Sequence, residues 1–252
     1  MSLGSALAVE HLTKSFGGLT AVSGVDLAIE PGERRALIGP NGAGKTTLFN
    51  LISGTLPPSS GRLVLFGEDV TALAPHARAA RGLARTFQIT TLFKNLTVLD
   101  NVLLAVQALD PVKRVFYRRR VAYARLLDRA RLLLEEWRLA AQAGVPVREL
   151  SYGEQRQLEI IMAVAGQPRL LLLDEPTAGL SPAETTAVAG IIKTLPRSLA
   201  MLVIEHDMDV AFELADRITV LYQGRVLTEG DGAAIRRNPQ VNEIYLGSAA
   251  AR

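Results

Sequence analysis

The eight residues GPNGAGKT at 39–46 constrain this chain more than any other stretch of it. They fit the spacing G-x-x-x-x-G-K-[ST] and lie between a short apolar run, ALI, and a helical pattern, KTTLFNLISG. Glycines at that spacing let successive backbone N–H groups point inward, and the helix that follows adds the positive end of its dipole. Such a loop cradles phosphates, so the fold around it must supply a strand before it and a helix after it. Gly39, Pro40, Asn41, Gly42, Ala43 and Gly44 form the predicted cradle. Lys45 supplies a point charge to the β- and γ-phosphates, the Thr46 hydroxyl is placed to ligate Mg2+, and Thr47 completes the predicted nucleotide-binding set.

Helical and strand-like segments alternate along most of the chain, which predicts an α/β fold with a largely parallel sheet. Strand candidates are LAVEHL, VDLAIE, RRALIG, RLVLFG, LARTFQ, RLLLLDE, LAMLVIE, RITVLYQ and GRVLTEG. Helices are expected after Gly44, at Thr97, near Arg118, at Ser151, at Ser181 and at Met208. Residues 97–166 carry helical patterns with almost no strand signal, so they read as a helical lobe inserted into an α/β core. With 252 residues, 48% of them hydrophobic, one large domain with such a lobe can bury a sizeable core.

RLLLLDEP, 169–176, is an apolar strand that ends in two carboxylates. A strand without alternation is buried on both faces, and ligands of parallel sheets bind at the strands' C-terminal edge. Asp174 is therefore expected to hold Mg2+, and Glu175 to orient or deprotonate an attacking water. His206 in LVIEHD and Gln88 in LARTFQ end two further strands and would face the same phosphates. A lone His is more often structural, but a third parallel strand ending near the same phosphates favours a functional His206. For Gln88 a polar strand end is an equally simple account, and its amide could reach Mg2+ or water.

LSYGEQ at 150–155 admits two readings. Ser151 followed three residues later by Glu154 is a capping-box pattern, hence an ordinary helix start. Alternatively, Ser151 and the Gly153 amide grip a phosphate at the positive end of that helix. The first loop already cradles one nucleotide, so a second anion site suggests a second subunit.

GPNGAGKT, Gln88, LSYGEQ, LLLLDEP, AGLSP at 178–182 and EHD occur in an order that resembles the ATP-binding-cassette (ABC) ATPases over nearly the whole length. The resemblance implies a P-loop NTPase core: a mainly parallel sheet with flanking helices plus an antiparallel β portion. It also implies the division into residues 1–88 and 167–252 as nucleotide-binding core and 89–166 as helical subdomain. Two ATP molecules, with Mg2+, would be sandwiched in a head-to-tail dimer, with Ser151, Gly153 and Glu154 of one cassette reaching the other's γ-phosphate. Phe16 in KSFGG stands where the family usually stacks an aromatic on adenine. Gln88 would couple the nucleotide to the membrane subunits, and His206 would contact the γ-phosphate; with Lys45 and Glu175 these form the expected catalytic set.

Two departures from the commonest pattern narrow the resemblance. Tyr152 and Glu154 replace the usual Gly and Gln, and Ser181-Pro182 replaces Leu-Asp, which puts a communication role for an Asp in that turn in doubt. LSYGEQRQLEI, DEPTAGLSP, RTFQ…LFKNLTVLDNV and the ending YLG are similar to ATPase subunits of bacterial branched-chain amino-acid importers. Their relatives import urea or other small solutes, or export lipopolysaccharide. The implied partners are transmembrane permease subunits, a second ATPase subunit (identical or paralogous) and, indirectly, a periplasmic solute-binding protein. The implied place is the cytoplasmic face of the plasma membrane.

Composition sets outer bounds. Cysteine is absent, which removes disulfides and thiolate chemistry and fits a reducing compartment. No apolar run approaches the roughly 18 residues of a membrane span, and the start lacks a signal-peptide pattern. Net charge is +3, and 23 of the 28 basic residues are Arg (28 minus 5 Lys), a balance open to phosphate ligands, nucleic acid or an anionic membrane. The cluster RVFYRRR at 114–120 reads as a solvated helix face or, less often, an anionic-lipid or nucleic-acid patch. A soluble ABC ATPase acting on nucleic acid or ribosomes is the rival from another class; its usual coiled-coil insertions or tandem cassettes are not visible, and no nucleic-acid partner is expected.

Overall fold

Five strands without polar alternation lie side by side in parallel. The computed structural model describes residues 4–86, 92–108 and 120–249. These strands are β3 (Arg34–Ile38), β6 (Leu83–Arg85), β7 (Leu170–Asp174), β8 (Ala200–Ile204) and β9 (Arg217–Tyr222). With β10 (Arg225–Gly230) antiparallel at the edge they form a six-stranded sheet in the order β10-β9-β3-β8-β7-β6. Every residue of β3, β7 and β8 is buried, so only helices on both faces can cover them.

A second, antiparallel sheet takes the order β2-β1-β4-β5 from β1 (Leu7–Phe16), β2 (Leu19–Ile29), β4 (Ser60–Leu65) and the two-residue β5 (Glu68–Asp69). Leu7, Val9 and Leu12 of β1 point into the largest apolar cluster, where they meet Leu48, Phe49 and Ile52 of α1 (Lys45–Ser53). Arg78, on the short helix α2 (Pro75–Ala79), is 1% exposed yet fully used. Its guanidinium donates to the Leu51 and Ile52 carbonyls at 2.6 and 2.7 Å, in the last turn of α1, where Leu51 also accepts from the capping Gly54 N–H.

Helices α3 (Val98–Ala108), α4 (Arg120–Glu136) and α5 (Tyr152–Val164) share a separate apolar cluster that includes Val98, Val102, Leu133, Leu158 and Ile161. Among the described residues of 92–166 no strand forms; a single bridge joins Thr97 to Pro146. α6 (Pro182–Thr194) packs beside α7 (Met208–Leu214), and α8 (Gly232–Arg236) and α9 (Pro239–Ala249) close the chain. α5 and α6 both start with a complete capping box: Ser151 with Glu154, and Ser181 with Glu184. The expected helix at Thr97 begins at Val98, and the one near Arg118 is described from Arg120; α2, α8 and α9 were not anticipated from the sequence. Gln88 and most of the 114–120 basic cluster lie outside the described residues.

Candidate functional site

The glycine-rich loop follows β3 directly and α1 begins at Lys45, the arrangement that the motif demands. Two glycines are required by geometry. A Cβ on Gly39 would lie 2.2 Å from the Leu221 carbonyl oxygen, and one on Gly44, at φ +101°, would lie 2.4 Å from that of Ala21. Any other residue would push the loop off β9 or off the β1–β2 hairpin.

A cavity of about 370 Å3 opens over this loop, lined by Asn41 to Thr47, Ala21, Glu175 and His206. A larger groove, about 740 Å3, lies beside Trp137 and the end of α6, and Glu136 and Arg138 are the ionisable side chains of its lining. The smaller cavity is the candidate chemical site because it gathers a cation, a carboxylate, an imidazole and a helix N-terminus.

Lys45 is buried, and its Nζ donates to the Gly39 and Pro40 carbonyls at 2.6 and 3.0 Å. Burial lowers its pKa, opposed by the charges of Glu175 and Asp174. Two hydrogen bonds to its own loop's carbonyls keep this cation in the cradle. Thr46 is exposed at the cavity.

Asp174 ends β7 only 1% exposed. Its Oδ2 accepts from Arg85 Nη2 at 2.9 Å, while its Oδ1, also buried, has no partner among the described residues. Burial raises the pKa of this carboxyl, and the hydrogen bond and charge of Arg85 pull it down. Arg85 in turn donates to Asn50 Oδ1 and Ser53 Oγ on α1, so the parallel strand pair β6–β7 and the loop's helix are fixed to one guanidinium.

Glu175 leaves the strand with φ +49°, a left-handed conformation uncommon for a residue with a side chain. Its N–H still donates to the Ile204 carbonyl at 3.0 Å. The turn aims the carboxylate back across the sheet, where Oε1 lies 2.5 Å from His206 Nε2 at the end of β8.

Below this contact sits Glu205, 3% exposed, whose Oε1 accepts from both the N–H and the hydroxyl of Thr177, at 3.2 and 2.9 Å. Burial pushes its carboxyl up to about 7, against the pull of the Thr177 hydrogen bonds. The residue thus ties the turn after Glu175 to the strand that carries His206. From the other end of the chain, Tyr245 on α9 approaches the Gly39 amide, and burial raises its phenol to about 12.

The structure brings Lys45, Thr46, Thr47, Asn41, Gly42, Ala43, Gly44, Glu175 and His206 to one cavity, with Asp174 buried behind Arg85. Phe16, 48% exposed at the end of β1, is not in its lining, although Ala21 on the same hairpin is. Ser151, Gly153 and Glu154 also lie outside it. Glu154 uses Oε2 on the cap, accepting from Ser151 N–H at 2.9 Å, while its Oε1 accepts from Gln142 Nε2 at 3.3 Å. Arg85, Glu205, Thr177 and Tyr245 were missed from the sequence; an Arg three residues before Gln88 and a Glu just before His206 were the available hints.

Residues fit Mg2+ on two observations: Asp174 Oδ1 is a buried acceptor without a partner, and Thr46 is exposed at the cavity. No group of three or more His, Cys, Asp or Glu side chains suited to a metal occurs among the described residues. Mg2+ keeps waters and phosphate oxygens among its ligands, so one carboxylate and one hydroxyl are a sufficient share from the protein.

Comparison with known proteins identifies the family of the chain. Residues 22–178 match the family profile described as "ABC transporter". The chain is 40% identical, over 96% of its own length and 98% of the relative's, to the high-affinity branched-chain amino acid transport ATP-binding protein BraF of Pseudomonas aeruginosa. It superposes with TM-score 0.83 and 28% identity on the ADP conformation of MJ1267, an ATP-binding cassette of an ABC transporter, covering 96% of this chain and 99% of that one. A dimeric post-hydrolysis state of the cassette MJ0796 with ADP and Pi matches at TM-score 0.76 and 26% identity, over 89% of this chain and 98% of that one.

Proposed function

This chain belongs to the ABC transporter family as an ATP-binding, ATP-hydrolysing subunit, and from that premise we propose that it powers the import of branched-chain amino acids. The observation that carries the catalytic part is the 2.5 Å contact between Glu175 and His206 at the mouth of the phosphate-loop cavity. The transport part rests on the name of the BraF relative and on the subfamily pattern of LSYGEQ and DEPTAGLSP.

In this reading the loop amides and Lys45 bind and orient the ATP phosphates. Glu175 accepts a proton from the attacking water, and His206 holds that carboxylate toward the γ-phosphate position. Thr46 and Asp174, with Gln88, would hold Mg2+, which when bound neutralises phosphate charge. Phe16 would stack on adenine. Ser151 and Gly153 would reach the γ-phosphate of a second cassette in a head-to-tail pair, with Glu154 shaping their turn. ATP drives the pair shut because it binds the closed state better than the open one.

Residues 89–166 form the proposed helical subdomain that receives permease subunits, with a periplasmic binding protein delivering solute on the far side. No helix of the described residues is long and apolar enough to cross a membrane, which suits a peripheral subunit at the cytoplasmic face. The test is uptake of labelled leucine, isoleucine and valine in source cells lacking this chain. Restoration by the intact gene but not by Glu175→Gln supports import and catalysis together. Uptake that never changes rejects the solute assignment.

A further inference from the structure

The Gly153 amide, which the paired-cassette reading assigns to a partner's phosphate, already has an anion on it. Its N–H donates to Glu184 Oε1 at 3.2 Å, across 31 residues of sequence. The same carboxylate's Oε2 accepts from the Ser181 N–H at 3.0 Å and its hydroxyl at 2.7 Å. A capping-box Glu needs only the amide of its own helix. Glu184 serves two helix starts instead, one oxygen for α6 and one for α5.

We propose that Glu184 is an internal stand-in for phosphate, which the partner cassette's nucleotide displaces from Gly153 when the two cassettes close. This rests on the paired-cassette reading. An amide N–H has one hydrogen to give, so carboxylate and phosphate exclude each other there. Ser151, by contrast, accepts through Oγ from Glu154 N–H at 3.2 Å and keeps its own hydroxyl hydrogen to donate. One half of the turn is open to an anion and the other half is filled.

Close approach depends on residue 153 being glycine, because a Cβ there would come within 3.0 Å of Glu184 Cγ and Oε1. Glu184 is held ionised: the Ser181 hydroxyl, then the Ser181 and Gly153 amides, lower its pKa. The departing carboxylate remains bonded to Ser181, the end of the turn that starts at Glu175. Phosphate arriving from one cassette therefore changes the restraint on the other's catalytic turn. That gives this chain a link between sites although Ser181 stands where the family usually has Asp.

The test uses the full chain carrying Glu175→Gln, so that bound ATP persists, and follows ATP-driven dimerisation by sedimentation velocity. Adding E184Q weakens a charged acceptor to a neutral one, and E184A removes it. Since charge-assisted bonds are about twice as strong as neutral ones, the ATP midpoint should fall about fivefold with E184Q and further with E184A. Affinity of the isolated monomer for a fluorescent ATP analogue should stay unchanged, which a general loss of structure would not allow. A midpoint that holds or rises in both variants overturns the displacement while leaving the pairing intact. A Glu175→Gln parent that stays monomeric at saturating ATP overturns pairing between identical copies of this chain, and with it this inference, which is made for such a pair.

Discussion

Glu175 and His206, 31 residues apart in sequence, meet at 2.5 Å because two adjacent parallel strands end side by side. Neither is held by local structure alone; the register Asp174↔Ile204 sets both. Glu175→Gln should lower kcat by on the order of a hundredfold or more, as loss of a general base does, and leave ATP binding intact. His206→Ala should lower kcat with little change in KM. Steady-state ATPase assays beside equilibrium nucleotide binding check both. Parent-rate turnover by Glu175→Gln rejects the assigned base.

Arg85 is the counter-ion that makes a buried Asp174 tolerable. Arg85→Met would leave that carboxylate uncompensated, and breaking one side of a buried pair costs about 3–5 kcal/mol. Urea denaturation should show the loss, and the double variant Arg85→Met, Asp174→Asn should recover much of it. If the single variant unfolds like the parent, the ion pair carries little of the stability.

Glu205 predicts a pH signature. Its folded carboxyl is raised to about 7 from 4.5, so the folded state holds a proton that the unfolded chain has lost. The contribution of this group is complete below about pH 4.5 and is lost as pH rises through about 7. Glu205→Gln keeps an acceptor for Thr177 and abolishes the titration. Relative to the parent, it should gain on the order of 2 kcal/mol between pH 5 and pH 8, from about 1.4 kcal/mol per pKa unit discounted for relaxation. Parallel denaturation curves at the two values decide it.

Gly44 offers a test of the loop itself. Gly44→Ala sets a Cβ 2.4 Å from the Ala21 carbonyl at φ +101°. Relieving that clash, with a strain of about 1–3 kcal/mol, must shift the loop away from the hairpin, so nucleotide affinity should fall about tenfold or more. Equilibrium titration with ATP reads this directly, while Gly190→Ala, with open space around its Cβ, serves as the control.

Short-range patterns were legible and long-range partners were not. GPNGAGKT, the apolar strands and the two Ser-x-x-Glu caps declare themselves within a few residues, because strand burial, loop winding and capping are local. Arg85 and Asp174 are 89 residues apart, and Glu205 and Thr177 are 28. Nothing beside Arg85 in the sequence names its carboxylate; strand order β3-β8-β7-β6 does. β5, α2 and α8 escaped notice for another reason: with two, five and five residues they are too short to show a period. The carboxylate on the Gly153 amide of LSYGEQ also needed three dimensions, since Glu184 reaches it from a different helix.

The left-handed backbone at Glu175 has an evolutionary edge to it. Glycine or asparagine would sit at φ +49° with less strain than glutamate does. A library randomised at position 175 and sorted for heat resistance alone should therefore enrich those two residues, and the winners would be sturdier proteins that no longer turn over ATP. Only selection for work, not for durability, keeps an acid at that corner.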